Sequence, residues 1–436
     1  MSKPDLLTYF RKLEDRPSTR WTGRVTKAIG NLVESEGPPC CVGEACEIVD
    51  RAGEVYSGEI VGFRGTNVLS MPLDSAGGIG YGDRITSWGQ RPTIAVGEEM
   101  LGRVLDGAGR VLDSRPPYRS SQKWSLHLRP HLPLDRIPVS EPLACGVRAI
   151  DGFLTCGRGQ RLGLFGGSGV GKSTLLGMMA RNSVADLSVL ALVGERGREV
   201  RDYLEHAIGS DGMARSVVVV STSDQSPLLR IRAALAASAI AEYFCSKGKH
   251  VLLVLDSITR VAMAQREIGL AAGEPPTARG YTPSVFTLLA RLIERAGRFS
   301  QGSITAFYTV LMEGDDQQDV IVDAVRALLD GHIVLDRRLS NRGHYPAISV
   351  LDSLSRLMPS VAPPLCVEKA VRLRNLMAAY ATSEDMIRVG AYQRGIDATL
   401  DQAVLAMPAI NDFLKQKVND PAALDQTQAA LSALPG

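Results

Sequence analysis

Five stretches of this chain are almost unbroken apolar sequence: RLGLF at 161–165, VLALV at 189–193, VVVVS at 217–221, VLLVLD at 251–256 and SITAFYTVL at 303–311. A strand with one face in water alternates apolar and polar residues. A run that is apolar at every position must be covered on both faces, as happens in a parallel sheet between two layers of helices. The intervening segments supply those helices, as in PLLRIRAALAASAIAEYF at 227–244. The expected fold class is α/β, with a mainly parallel sheet at its centre.

The flanks have other textures. Leu6, Leu7, Phe10 and Leu13 recur at helical spacing among Lys3, Arg11, Lys12, Glu14 and Asp15, so residues 1–20 read as a short amphipathic helix. From 21 to about 90 the pattern is short β-rich runs (VTKAIGNLV, CEIVD, YSGEIVGF, TNVLSMPL, DRITSW) between glycine turns, which suggests a small N-terminal β-barrel. The α/β domain is placed at 91–365. Within it the stretch 115–141, with Pro116, Pro117, Pro130, Pro133 and Pro138, reads as a connector along the domain surface. Residues 366–436 are helical in pattern and form an expected third, smaller domain. A chain of 436 residues exceeds what a single core organises, which fits this division.

Composition narrows the class of protein. A formal net charge of +2 gives no basic field of the kind nucleic-acid binders carry, so no nucleic acid is expected as partner. The seven cysteines are odd in number and scattered; only Cys40, Cys41 and Cys46 cluster, without CxxC or a nearby His, so reduced thiols are expected rather than a disulfide framework or a zinc site. No apolar run reaches ~18 residues and the N-terminus has no signal-peptide core, so the expectation is a soluble intracellular protein.

The first apolar run leads straight into GGSGVGKSTLLGMMA. Gly166, Gly171, Lys172 and Ser173 satisfy GxxxxGK[ST] after a strand and before a helix, the context that this phosphate-binding loop demands; Gly167, Ser168, Gly169 and Val170 fill the loop and Thr174 follows it. Glycines let main-chain N–H groups curl around phosphate oxygens and the helix N-terminus adds its positive end. Lys172 supplies a charge for the β and γ phosphates, and the Ser173 hydroxyl is placed to ligate magnesium. A glycine turn without function would need neither flanking element. A P-loop core of RecA-like type, binding a nucleoside triphosphate, is therefore expected.

Two acids end apolar runs. Asp256 closes VLLVLD, where a Walker B aspartate holds magnesium through water; its bland alternative is a helix cap. Glu195 ends VLALVGE and is followed at once by Arg196 and Arg198. A parallel sheet would bring Glu195 to the same edge as Ser173 and Asp256, where a carboxylate can orient and polarise water for in-line attack on a γ phosphate. The competing reading of Glu195 is a surface ion pair with Arg196, Arg198 or Arg201.

The segments GGSGVGKST, GERGREV, STSDQSPLLRIRA, VLLVLDSITRVAMAQREIGLAAGEPP, RGYTPSVF, GHIVLDRRLSNRGHYPAI and DSLSRLMPS, in this order, resemble the hexameric protein-export ATPases of type III secretion, relatives of the catalytic subunit of the rotary ATP synthase. The phrasing GLFGGSGVGKSTLLGMMAR and MIRVGAYQRG is more similar to the flagellar export ATPase than to the injectisome version. The resemblance implies ATP and Mg2+ as nucleotide and metal, and a homo-hexamer as assembly. Tyr345 would pack on the adenine ring, Arg356 would reach into the neighbouring subunit's site, and Arg196 and Arg260 would be secondary phosphate or interface contacts. It further implies that 264–286 lines a central pore occupied by a stalk protein. The N-terminal helix would dock a stator-like regulator, and the C-terminal helices would meet export chaperones and substrates. Such a protein would work in the cytoplasm, peripheral to the inner membrane at the export gate. Where that family reads EGDDMNEPIADAVR, this chain has EGDDQQDVIVDAVR at 313–326, with Val320 and Val322 replacing proline and alanine.

Overall fold

The computed structural model describes residues 20–118, 120, 122–127, 131–312 and 319–436. The helix expected over 1–20 lies outside them, apart from Arg20. Strands β1 (Trp21–Ile29), β2 (Leu32–Glu36), β3 (Ala45–Val49), β4 (Val55–Arg64), β5 (Asn67–Pro72) and β6 (Arg84–Ser87) close into a barrel in the order β1-β2-β5-β4-β3-β6. Closure leaves no free edge, and Val25, Val33, Ile48, Ile60, Val68 and Ile85 fill the interior.

The chain then forms β7 (Thr93–Val96), β8 (Val104–Asp106) and β9 (Gln122–Ser125), with β7 paired antiparallel to β9. The proline-rich stretch is therefore more than a connector. The Trp124 indole N–H donates to Glu242 Oε2 at 3.4 Å, and Arg295 donates to the Leu126 carbonyl at 2.9 Å while it grips Glu242 through two bonds of 2.6 and 2.7 Å. The strand was not legible because its ladder partner β7 lies well upstream and the groups that hold it, Glu242 and Arg295, stand more than a hundred residues away.

Short β10 (Pro142–Leu143) and β11 (Cys156–Gly157) pair with each other ahead of the main sheet. That sheet contains β12 (Arg161–Gly166), β13 (Leu187–Glu195), β14 (Ser216–Thr222), β15 (His250–Asp256), β16 (Gly297–Arg298), β17 (Ser303–Leu311), β18 (Gly331–Leu335) and β19 (Ile348–Ser355). Its order is β19-β18-β12-β17-β15-β13-β14-β8, with β16 paired to β17. All pairings from β18 to β8 are parallel, and only β19 and β16 run antiparallel to their neighbours.

Alternate residues of each strand feed two separate cores, which is why the runs are apolar throughout. In β13, Val189, Ala191 and Val193 join the core under helices Pro227–Ser246, Ile258–Ala272 and Pro283–Ile293. Leu190 and Leu192 join the core under helix Lys172–Asn182. The C-terminal helices Pro364–Arg388, Ala398–Leu414 and Leu424–Ala433 have no core of their own: Leu373, Leu376, Ala406, Ile410 and Phe413 pack into the same apolar cluster as Leu175, Leu176 and Met179 of the helix after the P-loop. Among the described residues no helix is long and apolar enough to cross a membrane.

The segment that departs from the family pattern is described only from residue 319. Asp319 caps helix Val320–Leu328 by accepting from Ile321 N at 2.8 Å, and Val322 is fully buried. Asp319 also accepts from Arg279 Nη1 at 2.6 Å, which ties the turn after helix Ile258–Ala272 to this cap.

The Arg295–Glu242 pair is almost wholly buried, at 6% and 7% side-chain exposure. Arg295→Met strands a buried carboxylate and is expected to cost about 3 kcal/mol in urea unfolding, whereas Arg295→Met with Glu242→Leu should recover most of it. A single variant as stable as the parent would show that the pair does not hold this junction.

Candidate active site

The P-loop follows β12 at the carboxyl edge of the sheet. Gly169 and Gly171 lie in the left-handed region, φ 80° and 95°, where a side chain would be strained. Gly171 opens helix Lys172–Asn182 with no side-chain cap, so the first-turn N–H groups have no partner within the helix and face outward as an anion cradle. Lys172 is 8% exposed, and its Nζ donates to the carbonyls of Gly166, at 2.9 Å, and Gly167. Ser168, Ser173 and Thr174 are exposed at the loop and first turn, while Gly167 and Val170 are buried beneath it.

Strand β17 lies between the P-loop strand β12 and β15, whose last residue is Asp256. The carboxylate is 5% exposed and accepts from Thr309 Oγ1 at 2.6 Å. Burial pushes its pKa up, against the pull of that hydroxyl and of the Lys172 and Arg260 charges. Leu192 of β13 sits beside Asp256, and the strand continues through a bulge at Gly194 to Glu195. Gly194 has φ 74°, and a methyl group there would meet the Arg260 side chain at 3.0 Å, so only glycine lets the strand end bend over Arg260.

Glu195 is half-buried at this edge, with its pKa pushed up to about 7. Desolvation is the main cause, followed by repulsion from Asp256 and a hydrogen bond shared with Glu199, while Arg260 opposes the rise. Arg260 is thus the guanidinium whose charge acts on both acids. Arg196, 80% exposed, points to Glu199 at 3.5 Å, and Arg201 pairs with Glu205 at 2.8 Å. The ion pairs that competed for Glu195 therefore form with other acids, Glu199 and Glu205. Glu199 carries no signal in the sequence, because Glu195 ends a strand and Glu199 lies on the helix that follows, so helical spacing does not relate the two.

Tyr345 stands on the other side of the P-loop: a methyl group at Gly171 would touch its ring at 4.0 Å. The ring is half-exposed and borders a cavity of ≈ 890 Å³, which Val170, Gly171 and Thr174 line together with Lys415, Lys417 and Val418 of the turn between the last two helices. That is within the size range of small-molecule sites. The far wall was invisible in sequence, since it comes from residues 240 positions beyond the P-loop. Arg337 Nη2 donates to the Ser168 carbonyl at 3.3 Å and braces the loop tip.

Arg356 is not near this chain's own P-loop. Ser355 pairs with Gly331 and the Arg356 N–H donates to the Asp330 carbonyl at 3.0 Å, at the amino edge of the parallel strands. Five residues of β12 separate that edge from Gly166, roughly 16 Å.

Comparison with known proteins places this geometry. The nucleotide-binding domain model of the ATP synthase alpha/beta family matches residues 146–355, its beta-barrel domain model matches 25–89, and the T3SS EscN ATPase C-terminal domain model matches 363–433. The flagellum-specific ATP synthase of Bacillus subtilis (strain 168) is 48% identical over 426 residues, 97% of each chain. The assembled ATPase EscN from the enteropathogenic E. coli type III secretion system superposes with a TM-score of 0.89 at 41% identity, covering 94% of this chain and 98% of that one. EscN in complex with its central stalk EscO superposes at 0.86, with the same identity and coverage. The chain belongs to the ATP synthase alpha/beta family, in its branch of flagellum-specific and type III secretion ATPases.

An acid that accepts a proton must first be ionised. With Glu195 at about 7, kcat/KM for ATP is expected to rise with pH through about 7 and to level above it. Glu199→Gln removes the group that shares Glu195's proton and should move this limb to lower pH. An inflection unmoved by Glu199→Gln would separate the pair.

Proposed function

We propose that this chain is the ATP-hydrolysing subunit of a hexameric motor for type III protein export, in the flagellar branch, coupling hydrolysis to the unloading or export of protein substrates. The observation that carries the reading is the meeting of a P-loop, Asp256 and Glu195 on one sheet edge, with Glu195 poised at about 7. The flagellum-specific protein of Bacillus subtilis is 48% identical where the type III secretion ATPase of Xanthomonas euvesicatoria is 44%, over nearly the full chain in both, which supports the flagellar branch.

The P-loop N–H groups and Lys172 hold the triphosphate, and the base stacks on Tyr345. Glu195 orients the attacking water and draws on its proton, while Arg260 keeps the acid ionisable. Hard oxygen donors suit magnesium: the exposed Ser173 hydroxyl and the buried Asp256 carboxylate, whose pKa burial pushes up, are the residues that would hold it. Bound there, Mg2+ would supply charge neutralisation at the phosphates. Arg356 completes the site of the neighbouring subunit as an arginine finger, which fits its distance from its own P-loop; Arg196, exposed beside Glu199, is a secondary contact at that junction.

The segment 264–286 lines the pore and faces a central stalk, as EscN has in EscO. The N-terminal segment takes a stator-like regulator and the C-terminal helices meet chaperones and substrates, so that the ring works in the cytoplasm at the export gate of the inner membrane.

Glu195→Gln is expected to lower kcat at least about 100-fold with nucleotide binding kept; near-normal turnover in that variant would remove Glu195 from the mechanism. Mixing inactive Arg356→Ala and Glu195→Gln subunits in equal amounts should restore about a quarter of wild-type activity, because about a quarter of interfaces then pair two intact residues. No recovery would count against a shared site.

A further inference from the structure

The cavity beside Tyr345 has two walls from distant parts of the chain, and a small set of hydrogen bonds fixes how far apart they stand. Arg148 opens helix Arg148–Phe153 ahead of the P-loop strand and itself lines this cavity. Its guanidinium reaches across to the turn that follows helix Ala398–Leu414: Nε donates to the Phe413 carbonyl at 3.0 Å, Nη2 donates to the Lys415 carbonyl, and Nη1 meets the Asp420 carboxylate at 3.3 Å. The last carbonyls of a helix have no partner within it and form its negative end, so a cation is well placed there.

Gln416 completes the connection from the other side. It is 6% exposed, and its Oε1 accepts from the Arg148 main-chain N–H at 2.8 Å. Its Nε2 donates to the Gly146 carbonyl at 2.9 Å and to the Asp420 carbonyl at 2.6 Å. Its main-chain N–H donates to the carbonyl of Tyr345 at 2.9 Å. Both amide hydrogens are used, so this side chain is a strut and not a reader of the ligand.

We propose that Arg148 is a positioning residue that holds turn 413–420 as the second wall of the base pocket and thereby makes the C-terminal helices respond to nucleotide. A base entering against Tyr345 must lie against Lys415, Lys417 and Val418. The Lys415 N–H still bonds the Asn411 carbonyl of its own helix and Arg181 Nη2 donates to the Val418 carbonyl at 3.0 Å, while Arg148 and Gln416 tie this turn to the segment 146–148 and to Tyr345. The helix they terminate packs through Phe413 on Phe153, with ring centroids 5.9 Å apart, so a shift of the wall is carried into the C-terminal packing. Arg148 acts on the base end of the ligand only. The phosphate end belongs to Lys172, Glu195 and Asp256.

This inference rests on the reading of the Tyr345 cavity as the base site, and the test separates the two. In the full-length protein, Arg148→Ala is expected to raise KM for ATP about ten-fold, the scale of a lost charge-assisted contact, with kcat within about two-fold of wild type. Affinity for inorganic tripolyphosphate with magnesium, which has no base, should not change. ATP should slow amide hydrogen exchange over 398–420 in the parent and fail to do so in the variant. Should Arg148→Ala not fold, Arg148→Lys, which keeps the charge but offers one nitrogen, is expected to give a smaller KM rise of about three-fold with the same indifference to tripolyphosphate. A fall in kcat at unchanged KM, equal weakening of tripolyphosphate, or undiminished exchange protection would each overturn the proposal. If Tyr345→Ala leaves KM for ATP unmoved, the base-site reading itself fails; if Tyr345→Ala raises KM and Arg148→Ala does not, only the role of Arg148 falls.

Discussion

Asp256 and Glu195 are brought together at one edge of the sheet, where burial disfavours the ionised form of each, Asp256 repels Glu195 and Glu199 repels Asp256. Two carboxylates in such a place are tolerated only because Lys172, Arg260 and the Thr309 hydroxyl oppose the cost. The same imbalance makes the edge receptive to a ligand that brings a cation with its phosphates. The raised Glu195 also has a proton affinity near neutrality, which a base acting on water requires. Everything at the site depends on parallel strands delivering their last residues to one edge.

The opposite edge has a different task. The antiparallel β19 carries Arg356 to the amino edge, beside Asp330, about a strand's length from the P-loop of the same chain. A guanidinium there is of no use to its own phosphate site, and its distance fits a division of catalysis between copies. With Arg356 as the proposed arginine finger, the receiving and donating halves would stand on opposite edges of a single sheet, which suits a closed ring of identical subunits.

The C-terminal helices are joined to the nucleotide domain more intimately than a separate domain would be. They share the apolar cluster beneath the helix that follows the P-loop, and their polar turn 413–420 is fastened to Arg148 and to the Tyr345 carbonyl. Shared packing and a common pocket wall give a direct physical route from bound nucleotide to the helices, since packed cores shift between discrete arrangements rather than deform smoothly.

What the chain determined by itself was whatever depends on near neighbours in sequence. The apolar runs specified strands covered on both faces, the glycine and lysine spacing specified a phosphate loop, and Asp256 and Glu195 were recognisable because each directly ends a strand. Tertiary structure alone decided which groups surround them. That Arg260 rather than Arg196 acts on Glu195, that β9 forms inside a proline-rich stretch, and that residues 415–418 face Tyr345 all follow from contacts between segments far apart in the chain. No local spacing encodes such contacts, because they are set by how separately formed elements pack.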